Sequence, residues 1–550
     1  MSDYYDLGNY SRKITTTSAD AQQWFDRGLV WCYGYNHEES IACYRQALGA
    51  DPACAMAWWG IAYASGCNYN KPWEAFDEAD AISSVSTAFE ATANAKRLAA
   101  SATPAEKALI EALSARYPQA TPGDDMEAWN DCYADAMRNV HQQFGDDLDV
   151  ASLFAEALMN RTPWALWDLE TGEIAEGADT AEAIEVLEAA MAREGGDRHP
   201  GLLHMYIHLM EMSPHPETAL KACDNLRDLV PDAGHLQHMP THIDVLCGHY
   251  ETVVRSNAAA IVADRKFLKR EGALKFYSLY RCHDYHFKIY GAMFLGQRQP
   301  ALDAADEMIS TLPEELLKVE SPPMADWVEG FVPMKMHVLI RFGMWLEIID
   351  TPLPTNQDLF CTTTAMIHYA KGVAYAATGD IANAEHQQAL FEDAVKRVPD
   401  TRYVFNNTCL DILAVAAEML KGELEYRRGN VDQAFAHLRK SVELDDNLPY
   451  DEPWGWMQPT RHALGALLLE QNRVEEAEAV YRADLGLDET LARACQHPDN
   501  VWSLQGLHEC LTRLGKTEEA KFVKLRLELA EARADGPINA SCFCRLEKVV

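Results

Sequence analysis

Apolar and polar positions alternate along most of the chain with the period of amphipathic helices, and these predicted helices come in pairs. In residues 24–52, WFDRGLVWCYGYNHEESIACYRQALGADP, the small residue Gly28 is followed twelve positions later by Ser40, and then by Tyr44 and Pro52. This spacing predicts two antiparallel helices that approach closely at the small residues and bury one apolar stripe each. The two-residue alternation of β-strands is nearly absent.

The same helix-pair pattern returns towards the C-terminus. Small residues recur at the same offset of twelve in three further segments: Gly372 with Ala384, Gly422 with Ala434, and Gly465 with Ala477. A fourth segment pairs Gly506 with Ala520, with a turn two residues longer. This self-similarity resembles the tetratricopeptide repeat, in which each helix pair buries its apolar face against the next pair. We therefore predict an all-α, tetratricopeptide-type solenoid of helical hairpins.

Inserted segments interrupt this repeat pattern. Proline and acidic residues mark 162–179, 350–360 and 446–459 as loops or helix starts. The predicted organisation has four parts, namely an N-terminal segment at 1–20, a first solenoid at 21–349 that includes histidine-rich repeats at 199–300, a second set of repeats at 350–535, and a tail with a Cys-x-Cys pair at 536–550.

Histidines concentrate in one part of the chain. Ten of the nineteen lie between His199 and His286. His204 and His208 are four residues apart, and so are His238 and His242. The two pairs are offset by 34 residues (238 − 204 = 34), which is the tetratricopeptide period. We therefore expect the pairs at equivalent positions of two stacked repeats, on the helix face that lines the concave groove.

His235 and Glu211 fall on the same predicted face, and the following repeat adds His283 and His286. Two histidines at i and i+4 can hold one cation, and facing helices that carry imidazoles and carboxylates hold the metal centres of helical bundles. The alternative is a polar groove that binds a ligand or peptide. The predicted metal ligands are His204, His208, His238, His242, His283 and His286, with His235 as an additional candidate.

Other residues are weaker candidates for this site. His37 lies in the predicted turn of the first repeat. Cys542 and Cys544 could supply soft thiolates if the tail folds into the groove, whereas on a free tail they would be an oxidisable pair. Glu211 and Glu156 are the carboxylates predicted to act in catalysis, although a salt bridge is the alternative role for Glu156.

Pro240 interrupts the second histidine pair. A proline inside a helix costs about 3 kcal/mol. Either a helix begins at Pro240 and leaves His238 in the entering loop, or the helix kinks at Pro240. Both arrangements would re-aim His235 and His238 relative to His242.

Charge and composition restrict the partners. The net charge of -36 would repel phosphate backbones, so nucleic acid is a poor partner, and the acidic surface is either simply solvated or concentrates cations. No apolar run reaches the roughly 18 residues of a membrane helix. The 14 cysteines are scattered singly apart from Cys542 and Cys544, which indicates a reducing compartment. We expect a cytoplasmic protein without a membrane partner.

Several stretches resemble a family of uncharacterised microbial tetratricopeptide proteins. The matching segments are spread over nearly the whole chain: YGYNHEESIACYRQALGADPACAMAWWGIAYASGCNYN, LFAEALMN with PWALW, HMYIHLMEMSPHPETAL, AGHLQHMPTHI, HDYHF, WSLQGL and SCFCR. At the position before the first helical histidine this family tends to have asparagine, where this chain has Leu203. The resemblance supplies no reaction, but it implies one shared pattern made by His37, His204, His208, His238, His242, His286, Cys542 and Cys544.

Two classes of function fit these patterns. The first is a metal-dependent enzyme that acts on a small organic molecule in the groove, with one or two metal ions per chain. All-imidazole ligation of copper or iron favours an oxidoreductase, whereas zinc would favour a hydrolase with Glu211 or Glu156 as general base. The second class is a scaffold that binds a peptide or protein partner through the groove. Because the concave positions carry histidine instead of the lysine and arginine of a common peptide clamp, we favour the oxidoreductase.

Overall fold

Helices dominate the computed structural model, which describes residues 4–545. The all-α, tetratricopeptide-type prediction is confirmed. In chain order the α-helices are α1 Ala19–Tyr33, α2 His37–Ala50, α3 Ala55–Ala64, α4 Glu78–Leu98, α5 Pro104–Arg116, α6 Glu127–Phe144, α7 Leu148–Met159, α8 Thr180–Met191, α9 Pro200–Glu211, α10 Leu220–Leu226, α11 Gly234–His238, α12 Pro240–Leu246, α13 Tyr250–Glu271, α14 Ser278–Phe294, α15 Arg298–Ser310, α16 Glu314–Leu317, α17 Met324–Val328, α18 Met334–Arg341, α19 Trp345–Asp350, α20 Cys361–Ala377, α21 Ile381–Val395, α22 Cys409–Arg427, α23 Val431–Asp446, α24 Thr460–Glu470, α25 Val474–Asp484, α26 Val501–Arg513 and α27 Thr517–Glu531.

Short elements complete the described chain. A two-stranded antiparallel sheet pairs β1, Tyr403–Val404, with β2, Asn407–Thr408. The 3-10 helices are Trp73–Ala75, Ala99–Ser101, Gly196–Arg198, Pro216–Ala219, Glu329–Phe331 and Arg493–Cys495. Among the helices that the structure describes, none is long and apolar enough to cross a membrane.

The chain divides into two compact units. The first runs to Ile243 and also includes Ala259–Arg281, and the second consists of Asp244–Ala258 and the chain from Cys282 onwards. Consecutive helices pair in each unit, as α1 with α2 and α3 with α4 in the first, and as α20 with α21 through α26 with α27 in the second.

Buried tyrosines explain the small residues of the repeat pattern. In the first unit, the ring of Tyr44 on α2 fills the space left by Gly28 on α1 and Gly60 on α3. A Cβ atom at Gly28 would lie 2.7 Å from Tyr44 Cε1, and one at Gly60 would lie 2.4 Å from Tyr44 Cζ. Side-chain carbons cannot approach so closely, so each glycine is needed for the helices to pack against this ring.

The second unit repeats this arrangement. Tyr481 on α25 lies against Gly465 on α24 and Gly506 on α26, where added Cβ atoms would approach its Cζ to 2.5 and 2.2 Å. Leucine takes the place of tyrosine in the pair of α22 and α23, where Gly422 faces Leu438. The residue types differ, but a glycine on the first helix of a pair accepts a large side chain from the second in each case.

The segments predicted as loops lie largely outside helices. The break at Pro240 is also observed, because α11 ends at His238 and α12 begins at Pro240. The first of the two alternatives is therefore correct about the helix start. His238 itself ends a five-residue helix and does not lie in a loop.

Candidate metal centre

Five buried histidines of the first unit come together on α9, α11 and α12. Helix α9 carries His204 and His208, α11 carries His235 and His238, and α12 carries His242. None of the five is more than 1% exposed. Apolar neighbours on α9, such as the fully buried Leu202, Ile207 and Leu209, hold this helix in the interior. The imidazoles are therefore inside the fold, away from the surface.

Hydrogen bonds fix the Nδ1 atoms of three of these imidazoles. His204 Nδ1 lies 2.6 Å from the backbone oxygen of Tyr33, to which it donates because a carbonyl can only accept. His208 Nδ1 and His242 Nδ1 lie 2.9 and 2.6 Å from the two carboxylate oxygens of Glu211. A neutral imidazole with its proton on Nδ1 carries its lone pair on Nε2, and this is the form that ligates a metal.

The Nε2 atoms converge. His204 Nε2 lies 3.2 Å from His235 Nε2, and His238 Nε2 lies 2.8 Å from His242 Nε2. Two nitrogens bound to one tetrahedral metal at about 2.1 Å would be about 3.4 Å apart. His208 Nε2 has no hydrogen-bond partner within the described residues 4–545, although it is completely buried. Buried polar atoms normally have a hydrogen-bond partner, so a buried nitrogen without one indicates a bound ion or another ligand.

Two sets of three residues within the first unit have ligand atoms within 4.8 Å of one another. One consists of His204, His208 and His235, and the other of His208, Glu211 and His242. The sets share His208, so the arrangement is compatible with one metal ion or with two neighbouring ions. Imidazole and carboxylate suit copper, iron and zinc.

Burial lowers the pKa of three of these imidazoles. It lowers the pKa of His204 to about 3. For His208 and His235, burial and then the neighbouring imidazoles lower the pKa well below its usual range. A protonated histidine cannot ligate a metal, so a depressed pKa keeps the ligands competent at neutral pH.

Aromatic side chains cover the imidazoles. The ring of Tyr35 lies 4.7 Å from that of His204, and the rings of Tyr69 and Trp164 lie 5.0 and 5.9 Å from that of His208. Tyr35 and Trp164 have positive φ angles of 55° and 59°, a conformation that is rare for bulky residues. Such backbone strain concentrates at functional sites, where the surrounding structure enforces it.

The two carboxylates predicted to act in catalysis have different surroundings. Glu211 accepts hydrogen bonds from both His208 and His242, which makes it an orienting group for two imidazoles. Glu156 on α7 accepts a hydrogen bond from Tyr63 through Oε2, whereas its Oε1 has no partner within the part of the chain that the structure describes. Burial raises the pKa of Glu156. Their catalytic roles stay predictions.

The remaining predicted ligands are placed as follows. His37 is the first residue of α2, and its Nε2 lies 3.8 Å from Cys32 Sγ. His283 and His286 lie in the second unit, where His286 Nε2 is 2.7 Å from Met457 Sδ. That these three join the centre stays a prediction.

The predicted Cys-x-Cys pair also lies in the second unit. Cys542 and Cys544 form a disulfide, so they are not free thiolates in this structure. Their predicted role as further ligands is not tested by this arrangement and stays a prediction.

Several contributors to the site have no signal in the helical periodicity. The Tyr33 backbone oxygen and the covering rings of Tyr35 and Tyr69 reach it through tertiary packing alone. Trp164 lies in the predicted 162–179 loop, where a tryptophan-rich insertion was the available signal. Its neighbour Trp167 fixes this loop on α9 by donating to the backbone oxygen of Leu209 at 2.7 Å.

No protein-family model matches the chain. No curated protein is similar to it in sequence. Solved structures that it resembles over most of its length include the Cut9–Hcn1 hetero-tetramer of APC/C, at 12% identity over 89% of this chain and 76% of that chain with a TM-score of 0.31. Yeast Tom70 is similar at 13% identity over 93% and 96%, with a TM-score of 0.29. A monomeric IFIT1 mutant with Gppp-AAAA is similar at 11% identity over 83% and 91%, with a TM-score of 0.31. These likenesses are too distant to assign a residue or a reaction.

Proposed function

We propose that the protein binds a transition-metal ion in the first unit through the Nε2 atoms of His204, His208, His235 and His242. The observation that carries this proposal is the set of three hydrogen bonds at Nδ1, two of them to Glu211. Hydrogen bonds from the far nitrogen of an imidazole to a carbonyl or carboxylate are the usual support of metal-ligating histidines. His238 is a further ligand for a second ion.

Copper or iron is the preferred metal, and zinc is the third candidate. Four imidazoles form a borderline ligand set that all three metals accept. Bound to a redox metal, the buried centre would serve a metal-dependent oxidoreductase acting on a small organic molecule. This activity rests on the ligand chemistry alone, because the fold class itself favours binding over catalysis.

The test is elemental analysis of untagged protein purified without added metal. We expect about one or two equivalents of copper, iron or zinc in the wild type, and loss of this metal in the His208→Ala/His242→Ala double variant. His437→Ala is the matched control, since His437 also pairs with a glutamate, Glu418, at 2.6 Å but lies in the second unit. No metal in the wild type, before and after titration with each ion, would contradict the proposal. Zinc alone would direct the search to hydrolysis.

A second candidate function is that of a protein-binding scaffold, and one surface favours it. On α27, the last helix that the structure describes, Phe522, Leu525 and Leu529 are 70%, 60% and 69% exposed. Their spacing of three and four residues places them in one row, as in the contact stripe of a coiled coil. Large exposed apolar rows are typical of interaction sites.

The charges beside this row fit a second copy of the same helix. Lys521 and Glu528 are seven residues apart and therefore flank the row on the same side, both well exposed. In an antiparallel pair around Leu525, Lys521 of each copy would face Glu528 of the other. Symmetric pairs of this kind are the commonest protein association, so self-association through α27 is the partner interaction that we propose.

A further inference from the structure

The C-terminal tail is fixed in the second unit by contacts on both sides of its cysteine pair. Ser541 Oγ donates to the backbone oxygen of His462 at 2.7 Å and also contacts Tyr481 OH at 2.6 Å. Beyond the pair, Arg545 forms an ion pair with Glu509 at 2.7 Å. Residues 541–545 therefore pack against this unit, and the two cysteines have a defined environment.

A pocket opens beside the disulfide. Cys542 and Cys544 both line it, together with apolar and aromatic side chains and a few polar groups. The remaining lining residues that matter for chemistry are Arg341, Tyr369, Glu423, Trp456 and His462. The carboxylate of Glu423 is already paired with Arg427 at 2.8 Å, so it leaves Arg341 available to an anion. The volume of the pocket is about 40 Å³, so it admits one functional group of a small molecule, beside the sulfur atoms.

The two sulfur-bearing residues differ in access. Cys544 is 4% exposed, whereas Cys542 is only partly buried. An incoming thiolate would therefore reach Cys542 more easily, and Cys544 would be the leaving group. Such asymmetry is typical of disulfides that exchange with external thiols.

Arg341 provides a charged group in the same pocket. It is 3% exposed, and its Nη1 lies 2.8 Å from His462 Nδ1 while its Nη2 donates to the backbone oxygen of Ser541. Its Nε has no partner within residues 4–545. A buried guanidinium with an unused N–H favours an anionic ligand, and a carboxylate is one of the groups that arginine recognises well.

We propose that the Cys542–Cys544 pair is a thiol–disulfide exchange site for a low-molecular-weight thiol that carries a carboxylate. The thiolate of the small thiol attacks Cys542 Sγ, the S–S bond breaks, and its electron pair leaves on Cys544 Sγ, which takes a proton from water. A second thiolate then attacks the sulfur of the bound thiol, releasing the small-molecule disulfide and the Cys542 thiolate, which is protonated in turn. In total, two small thiols lose two electrons and two protons to the pair, and Arg341 holds the carboxylate during the attack.

The test uses the full chain and two thiols. Glutathione carries carboxylates, whereas cysteamine carries none and is positively charged. The oxidised protein is mixed with each thiol at equal thiolate concentration, and reduction of the 542–544 pair is followed by alkylation and mass spectrometry of the tail peptide. We expect glutathione to reduce the pair at least several-fold faster. Equal rates, faster reduction by cysteamine, or a pair that oxidised glutathione fails to oxidise would overturn the proposal.

Single cysteine variants test the predicted direction of attack. With oxidised glutathione, Cys544→Ser should acquire a mixed disulfide at Cys542, whereas Cys542→Ser should react much more slowly at the buried Cys544. Equal reactivity of the two variants would overturn the assignment of Cys542 as the attacked atom. Because the comparison of the two thiols uses the unaltered chain, a variant that fails to fold leaves that part of the test intact.

Discussion

His242 Nδ1 and Glu211 Oε2 lie 2.6 Å apart, although the residues are separated by 31 positions and lie on different helices. The other oxygen of the same carboxylate accepts from His208 Nδ1. One buried glutamate thus fixes two imidazoles whose sequence positions differ by one repeat period. Two histidines that lie one repeat period apart in sequence therefore share one acceptor in the proposed metal centre.

Replacing Glu211 by glutamine should weaken metal binding without removing a proposed Nε2 ligand. The amide oxygen can accept from one imidazole only, and the negative charge near the cation is lost. We expect the affinity to fall by about 10–100-fold, the usual effect of losing such an orienting partner. Competition with a chromophoric chelator would measure it.

Glu418→Gln is the control for this substitution. Glu418 accepts from His437 Nδ1 at 2.6 Å in the second unit, so the same chemical change is made away from the centre. An unchanged affinity in Glu211→Gln, or an equal loss in both variants, would contradict the orienting role.

Glycine positions that face Tyr44 should not tolerate a methyl group. Gly60→Ala would place a Cβ atom 2.4 Å from Tyr44 Cζ, and overpacking of this kind costs about 1–3 kcal/mol. Gly49 lies in α2 of the same unit and has no atom within 4 Å of an added Cβ. Gly49→Ala should therefore stabilise the protein by up to about 1 kcal/mol. Urea denaturation would measure the free energy of unfolding of both variants. Equal changes in Gly60→Ala and Gly49→Ala would contradict the packing argument.

His337 should make the stability of the protein sensitive to acid. This side chain is 2% exposed, and burial lowers its pKa from 6.5 to about 3. At pH values between these two pKa values, His337 is protonated in the unfolded chain but stays neutral in the folded protein. Stability is therefore complete above about pH 6.5 and falls as the pH drops towards 3, by about 1.4 kcal/mol per pH unit from this residue.

The variant His337→Leu should lose this contribution. Plots of the free energy of unfolding against pH should be less steep by about 1.4 kcal/mol per pH unit between about pH 6 and pH 4, because the variant has no imidazole to take up a proton on unfolding. Denaturant titrations at several pH values provide the measurement. An identical slope in the wild type and the variant would show that folding does not lower the pKa of His337.

Self-association through α27 should depend on its exposed apolar row. Leu525→Glu would place a charge at the centre of the predicted contact, and we expect the wild-type dimer to become a monomer. Leu346→Glu is the matched control, because Leu346 is 71% exposed but lies on α19. Sedimentation velocity over a range of protein concentrations would distinguish the dimer from the monomer in the wild type and in both variants. A wild type that is monomeric at all concentrations would contradict the proposed partner.

Much of the fold could be predicted from the sequence because its determinants are local. Gly28 and Tyr44 are sixteen residues apart, and so are Gly465 and Tyr481, which reflects the fixed geometry of a short helical hairpin. The repeat period likewise predicted that His208 and His242 would occupy equivalent places. Both residues donate to Glu211, and their equivalent placement on a shared groove stays a prediction.

The centre itself depended on contacts that no local pattern encodes. The Nδ1 partner of His204 is a backbone oxygen at Tyr33, 171 residues away, and Trp164 reaches His208 from an irregular loop. The break between His238 and Pro240 was foreseen as one of two alternatives, but the resulting direction of each ring was not. Side-chain direction depends on the rotamers and packing of distant segments, which periodicity does not describe.

The sequence by itself therefore determined the helix pairs, their close approach at small residues and the clustering of histidines by repeat, because these follow from the geometry of single helices and hairpins. Only the tertiary structure decided that the Nδ1 atoms of His204, His208 and His242 are held by protein acceptors. It also decided that the tail cysteines line a pocket with Arg341. These contacts join residues that are far apart in sequence. Their physical cause is that buried polar groups need hydrogen-bond partners, which tertiary packing supplies from distant segments.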